Sequence, residues 1–214
     1  IMKKGVLLIS TVSVLFLFTS NKKEPLVYNA SDNTVKIGKQ IWMAENLDVD
    51  TYRNGDSIPL VKSPEKWAAL KTGACCYFDN KTENGHKYGR LYNWYAVNDP
   101  RGLAPAGFHI PSDKEWEQLM ADLDNEETAA KLKSKKGWKE NKEATDETGF
   151  SALPGGYRVF NGPFIYEGSH AFFWSSTSVT PDKAWGRGML YNHVDVGRDE
   201  GSKGSGLSVR CIQD

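Results

Sequence analysis

Pro111-Ser112-Asp113-Lys114-Glu115-Trp116-Glu117-Gln118-Leu119-Met120 carries the strongest local signal in the chain. Ser112 stands three residues before Glu115, the pattern of a capping box, in which each side chain accepts from the other residue's backbone N–H. Trp116, Leu119, Met120 and Leu123 follow at i, i+3, i+4 and i+7, which puts them on one apolar helix face. Downstream the pattern changes. From Phe150 onward glycines recur every few residues and the helical period is lost. Trp185, Arg187 and Met189 alternate with Ala184, Gly186 and Gly188, and Leu207, Val209 and Cys211 alternate with Ser208, Arg210 and Ile212. Alternation of this kind predicts strands of a meander, joined by loops around Asn192 and across 201–206. A capped helix followed by such strands predicts an α+β domain.

Upstream, Val35 and Ile37 precede Gly38-Lys39, and Ile41, Trp42 and Met43 follow. This predicts a hairpin whose two-residue turn has Gly first. Ser63-Pro64 predicts a short helix with Ser as cap and Pro at the first helical position, and Trp67 and Leu70 on its apolar face. Leu91, Trp94, Tyr95 and Val97 predict a helix starting near Tyr88, and residues 126–134 another short one. Lys3 and Lys4 ahead of the apolar run Val6 to Phe18, closed by Thr19 and Ser20, have the pattern of a secretory signal. That run is shorter than the roughly 20 residues that span a bilayer. The expected organisation is a signal peptide over 1–20, a polar tether over 21–33 and one domain over 34–214.

The chain's 214 residues hold 27 basic and 27 acidic side chains, and 12% of them are aromatic. Losing Lys3 and Lys4 with the leader would leave 25 basic against 27 acidic, a net charge of about −2. Such a balance excludes a broadly basic nucleic-acid binder, and the aromatic content excludes a disordered chain.

Several blocks together resemble one family. They are Lys36-Ile37-Gly38-Lys39-Gln40-Ile41-Trp42-Met43-Ala44-Glu45-Asn46-Leu47, Tyr88-Gly89-Arg90-Leu91-Tyr92-Asn93-Trp94-Tyr95, Phe108-His109-Ile110-Pro111-Ser112-Asp113-Lys114-Glu115-Trp116, Gly149-Phe150-Ser151-Ala152-Leu153-Pro154-Gly155-Gly156-Tyr157-Arg158, Phe173-Trp174-Ser175-Ser176-Thr177 and Ser208-Val209-Arg210-Cys211. In this order they resemble the Fibrobacter succinogenes major paralogous domain family over about residues 34–213. That resemblance implies an exported bacterial protein without an assigned catalytic activity. Pro111 to Glu117 and Val209-Arg210-Cys211 also resemble the formylglycine-generating-enzyme branch of the C-type-lectin-like fold. This implies helices packed on a twisted antiparallel sheet, with long loops presenting a surface. The enzyme of that branch needs a pair of cysteines near its C-terminus, and only Cys211 lies there.

Leu17-Phe18-Thr19-Ser20 followed by Lys22-Lys23 resembles a lipoprotein leader, but Asn21 stands where the lipid-bearing cysteine belongs. A membrane anchor of the lipoprotein type would require that cysteine. The expected address is the cell surface, the periplasm or the medium.

Cys75, Cys76 and Cys211 are three thiols in a chain expected to be exported, where disulfides persist. Cys76 resembles the family's usual cysteine, which implies a Cys76–Cys211 bridge; buried free thiols are the alternative. His86, His109, His170 and His193 have no metal-binding spacing, so no metal site is expected from them. Asp79, Asn80, Glu83 and Asn84 offer hard oxygens on one loop, and calcium is the one ion they could hold. No nucleophile elbow and no phosphate loop is present.

The aromatic and polar residues Trp185, Arg187, Tyr191, His193, Asp195 and Arg198 form the candidate site. Tyr, Trp and Arg are enriched at binding hot spots, and in lectin-like folds this late segment commonly faces the ligand. Glycines 186, 188 and 197 would leave room beside these side chains. The expected function is a non-catalytic exported binding or adhesion module for a glycan or protein ligand. A hydrolase of cell-wall or surface polymer, using Asp195 or Asp199, is one alternative. A ligand-binding segment diversified by a retroelement, over Gly186 to Ser205, is another.

Overall fold

The computed structural model describes residues 33–140 and 143–214. The leader and the tether, except for residue 33, lie outside the described residues, as does the cleavage point at Asn21.

In chain order the elements are β1 (Thr34–Ile37), β2 (Gln40–Met43), α1 (Pro64–Ala68), β3 (Cys75–Cys76), α2 (Thr82–Tyr88), β4 (Leu91–Tyr92), α3 (Trp94–Val97), β5 (Phe108–His109), α4 (Asp113–Asp122), α5 (Thr128–Leu132), β6 (Gly155–Arg158), β7 (Phe164–Glu167), β8 (His170–Ser178), β9 (Lys183–Leu190), β10 (Gly197–Ser202) and β11 (Ile212–Gln213). A single 3-10 turn covers Phe78–Asn80. The fold is α+β and mostly sheet, with short helices and mainly antiparallel pairing. One sheet has the order β1-β2-β11-β5, a second β10-β9-β8-β6-β7, and β3 pairs with β4. Only β6 and β8 pair in parallel, at Gly156 and Ala171, among the described strands. No described helix is long and apolar enough to cross a membrane.

The local signals are realised where their chemistry is short-range. Ser112 accepts from Glu115 N and Glu115 accepts from Ser112 N, so the capping box starts α4. Ser63 caps α1, accepting from Lys66 N. Gly38 takes a left-handed φ of 56° in the hairpin turn. Between Tyr88 and Val97 the structure differs from the expected helix. A helix ends at Tyr88, Gly89 stops it with φ 73°, and a two-residue strand intervenes before α3. Asn93 then caps α3 by accepting from Ala96 N, and the same oxygen accepts from Ala74 N. This side chain joins α3 to the strand segment before it. Residues 207–211 form no ladder of their own: Leu207 bridges Tyr92, Ser208 bridges Phe173, and the carbonyls of Val209 and Cys211 accept from Leu47 and Met43.

Two large apolar clusters and a small one lie between these layers. α4 packs Trp116, Leu119 and Leu123 onto Phe173 and Met189 of the five-stranded sheet and onto Trp42 of β2. Trp42 and Trp116 have ring centroids 4.8 Å apart, and Phe150 meets Phe173 edge-on at 5.8 Å. Trp174, Ala184, Leu207, Val209 and Cys211 belong to the cluster built on Leu47, Tyr92 and Phe108.

Long loops leave backbone carbonyls without ladder partners, and buried cations supply them. Arg158 donates to the carbonyls of Val61, Lys62 and Gly162, and stacks on Trp67. Arg210 donates to the carbonyls of Met43 and Phe150 and to the Asn46 side chain. Lys203 Nζ holds Ser178 Oγ, Thr180 O and Pro181 O. Each head group is buried only because several oxygens replace its water.

The expected Cys76–Cys211 bridge is not formed: Cys75, Cys76 and Cys211 are free and buried. The reason is the strand alternation of β3. Cys76 faces Trp67, Phe78 and Leu91, whereas Cys75 faces the cluster that holds Cys211. Burial pushes the thiols of Cys76 and Cys211 up to about 12, so neither is a thiolate at neutral pH.

Candidate functional site

β9 and β10 pair antiparallel, so Arg198 lies opposite Arg187, Asp199 opposite Gly186 and Glu200 opposite Trp185. Cross-strand partners share a face. One face therefore carries Trp185, Arg187, Met189, Arg198 and Glu200. The other carries Gly186, Gly188, Gly197, Asp199 and Gly201. β8 continues both faces, with Phe173 opposite Arg187, Phe172 opposite Gly188 and Trp174 opposite Gly186.

The first face is covered by α4. Arg187 is buried, with its guanidinium 2.7 Å from Asp113 and a second nitrogen donating to Asp113 O at 3.2 Å. Arg198 grips the other oxygen of Asp113 at 2.7 Å and lies 3.4 Å above the Trp185 ring. Burial alone would raise the Asp113 carboxyl, but the bonds from Arg198 and Arg187 outweigh it and hold the carboxyl below its usual range. Asp113 is also the first residue of α4, where the helix dipole favours an anion. Arg187 thus joins helix to sheet and does not lie on an open surface, which corrects its expected role as a ligand contact. Tyr191 is half-buried against the same cluster as α4. His193 and Asp195 are exposed on the loop after β9. Lys133 pins that loop by donating to His193 O at 2.6 Å, and Val194 O accepts from Ala129 and Ala130. Trp185, Arg187 and Arg198 are therefore one network, while Tyr191, His193 and Asp195 belong to a separate loop docked on α5.

The second face is buried at Trp174 and Ala184, which belong to the cluster built on Leu47 and Tyr92, and is open beside them. Gly186 of β9 and Gly201 of β10 place no side chain there, and a groove of about 410 Å³ lies over them. Tyr157, Phe160, Phe172 and Leu207 flank it. Tyr157 and Phe172 meet edge-to-face at 5.1 Å. Phe172 continues to His170 at 5.6 Å, and His170 stacks on Tyr166 at 4.2 Å. Phe160 and Tyr166 are 52% and 49% exposed, unusual for rings with no apolar cover. Tyr166 also holds a left-handed φ of 70°, a strained conformation for an aromatic residue. Beyond Phe160 a second cavity of about 300 Å³ continues between Leu70, Lys71, Tyr95 and Asp182. Burial raises the Tyr157 phenol, with Tyr166 adding to the effect. Burial lowers the His170 imidazole, helped by His193.

Asp199 reaches this groove. A Cβ built on Gly188 would sit 2.8 Å from Phe172 Cε1 and 3.7 Å from Asp199 Oδ2. The Asp199 carboxylate and the Phe172 ring edge therefore both border the position where a side chain at Gly188 would stand. Gly186 borders the groove, on the face opposite Trp185 and Arg187, whereas Phe172 covers Gly188 and Gly197 is not among the groove's residues. Tyr157, Phe160 and Phe172 were not legible as site residues. The available signal was Gly186 and Gly188 paired in register with Gly197 and Asp199, and it depends on knowing which strands are neighbours.

No group of three His, Cys, Asp or Glu side chains among the described residues is placed to hold a metal. On the loop offered for calcium, Lys81 lies 3.4 Å from Asp79, and Asn84 uses its amide nitrogen on Phe78 O. The family model described as the Fibrobacter succinogenes major domain matches residues 35–213, and the chain belongs to that family. No curated protein and no solved structure gives a match.

Proposed function

We propose that this domain is a non-catalytic binding module for a glycan outside the cell, and that the groove over Gly186 and Gly201 is its site. The observation that carries the reading is the continuous run of part-exposed rings Tyr166, His170, Phe172 and Tyr157, with Phe160 lining the same groove, beside a trough over Gly186 and Gly201. Pyranose rings present apolar C–H faces that stack on aromatic rings, while their hydroxyls need directed polar partners. Ser202, Ser205 and Asp199 supply polar atoms along the same trough. We read the arrangement of short helices on a mainly antiparallel sheet as C-type-lectin-like, and the address as exported. Glu200 turns to the opposite face from Asp199, and Asp195 lies on another loop. Neither is in the position of a second carboxylate across the groove from Asp199, and this favours binding over hydrolysis.

A glycan array identifies the ligand, and Tyr157→Ala and Phe160→Ala test the site. Each variant is expected to fold and to weaken binding about tenfold or more, as for a central aromatic contact. Unchanged binding in both variants would move the site elsewhere.

A further inference from the structure

The charge of the groove selects among glycans. Among the described residues that line it, Asp199 and Glu200 are the only charged ones. Glu200 is engaged by Lys183 at 3.1 Å on the far face of the sheet. Asp199 has no such neighbour: no described cation or N–H group partners its carboxylate. The nearby cations are all committed elsewhere. Arg198 holds Asp113, and Lys203 holds oxygens of residues 178–181. Lys71 lies beyond Phe160, in the neighbouring cavity.

From this juxtaposition we infer that the groove binds a glycan built of hexosamine units with free amines, with one ammonium group seated between Asp199 and the rings of Phe172 and Tyr157. The inference rests on reading the groove as a glycan site and names its ligand class. An ammonium group suits both walls. The carboxylate forms a charge-assisted hydrogen bond with it, and a cation near aromatic rings gains from their quadrupoles. An N-acetyl group offers neither charge nor three donors. A neutral sugar would leave the carboxylate partly stripped of water without a counter-charge, which costs free energy.

The test is calorimetric titration of the protein with three tetramers: β-1,4-linked glucosamine, its fully N-acetylated form, and β-1,4-linked glucose. The free-amine tetramer is expected to bind about tenfold more tightly than the other two, the size of one additional charge-assisted contact. Asp199→Asn should abolish that preference and leave the weaker binding of the neutral tetramers in place. Asp195→Asn, which removes an equal charge from the α5-docked loop, should leave the preference intact. Equal affinity for all three tetramers would overturn the inference, as would equal losses in Asp199→Asn and Asp195→Asn. In either case the groove reading survives if Tyr157→Ala still lowers binding. If none of the three binds, the inference falls, and the glycan array decides whether the glycan reading falls with it; if Tyr157→Ala and Phe160→Ala both leave binding unchanged, the site lies elsewhere and the inference falls.

Discussion

At the scale of single residues, Asp113 decides how α4 meets the sheet. Two guanidiniums share its carboxylate, and the inner one is 2% exposed. Removing one partner of a buried pair leaves an uncompensated charge, which costs about 3–5 kcal/mol. Arg187→Ala is expected at the lower end, about 3 kcal/mol, because Arg198 still holds Asp113. Urea unfolding measures it, and a loss under about 1 kcal/mol would mean the pair adds little. His109 is a second such residue. It lies 2.7 Å from Glu115 and 2.8 Å from Asp214, so it ties the C-terminus to the capping box of α4. Burial opposes its charge, but the bonds to Glu115 and Asp214 prevail and raise its pKa. A raised folded pKa means stabilisation that is complete below the ordinary imidazole value, about 6.5, and is lost as pH rises through the folded value. The stability advantage of the protein over His109→Gln should therefore shrink from pH 6 to pH 9. A difference independent of pH would show that the imidazolium contributes nothing.

At the scale of elements, α4 was the most legible part of the chain. Its cap and its apolar spacing act within a few residues, and Trp116 is indeed buried with Leu119 and Leu123 against the sheet. Trp116→Ala should cost about 3–5 kcal/mol in equilibrium unfolding, the range for a buried aromatic. A cost below about 1 kcal/mol would contradict the packing of α4 on Trp42 and Phe173. The expected helix from Tyr88 failed for an equally local reason. Leu91, Trp94 and Val97 have helical spacing, yet Gly89 breaks the chain and Asn93 spends its oxygen on capping. Leu91 belongs to β4 and Trp94 and Val97 to α3, and they are buried in two different clusters; periodicity cannot distinguish that from one helix face.

At the scale of the molecule, three thiols lie in apolar surroundings with no disulfide between them. A thiol reagent should therefore find none in the folded protein and three after denaturation, and dithiothreitol should not lower the melting temperature. One thiol in place of three after denaturation would reveal a bridge. The pairing of Cys76 with Cys211 was implied by resemblance, and the alternation of β3 turned Cys76 the other way.

The strand parity of β9 was written in the sequence, because successive side chains must point to opposite faces. Trp185 and Arg187 do share one face and the glycines the other. The capping box, the Gly38 turn and the family blocks were legible on the same footing, since each depends on neighbours along the chain. Which face of β9 would be covered was settled only in three dimensions. That choice depends on α4, about seventy residues earlier in the chain, laying Asp113 and Trp116 against Arg187 and Phe173. With that face buried, the open groove lies on the glycine face beside Gly186 and Gly201, and Tyr157, Phe160 and Phe172 reach it from other strands and loops. Long-range packing has no signature in local spacing, so the residues of the groove could be named only after the sheet was assembled.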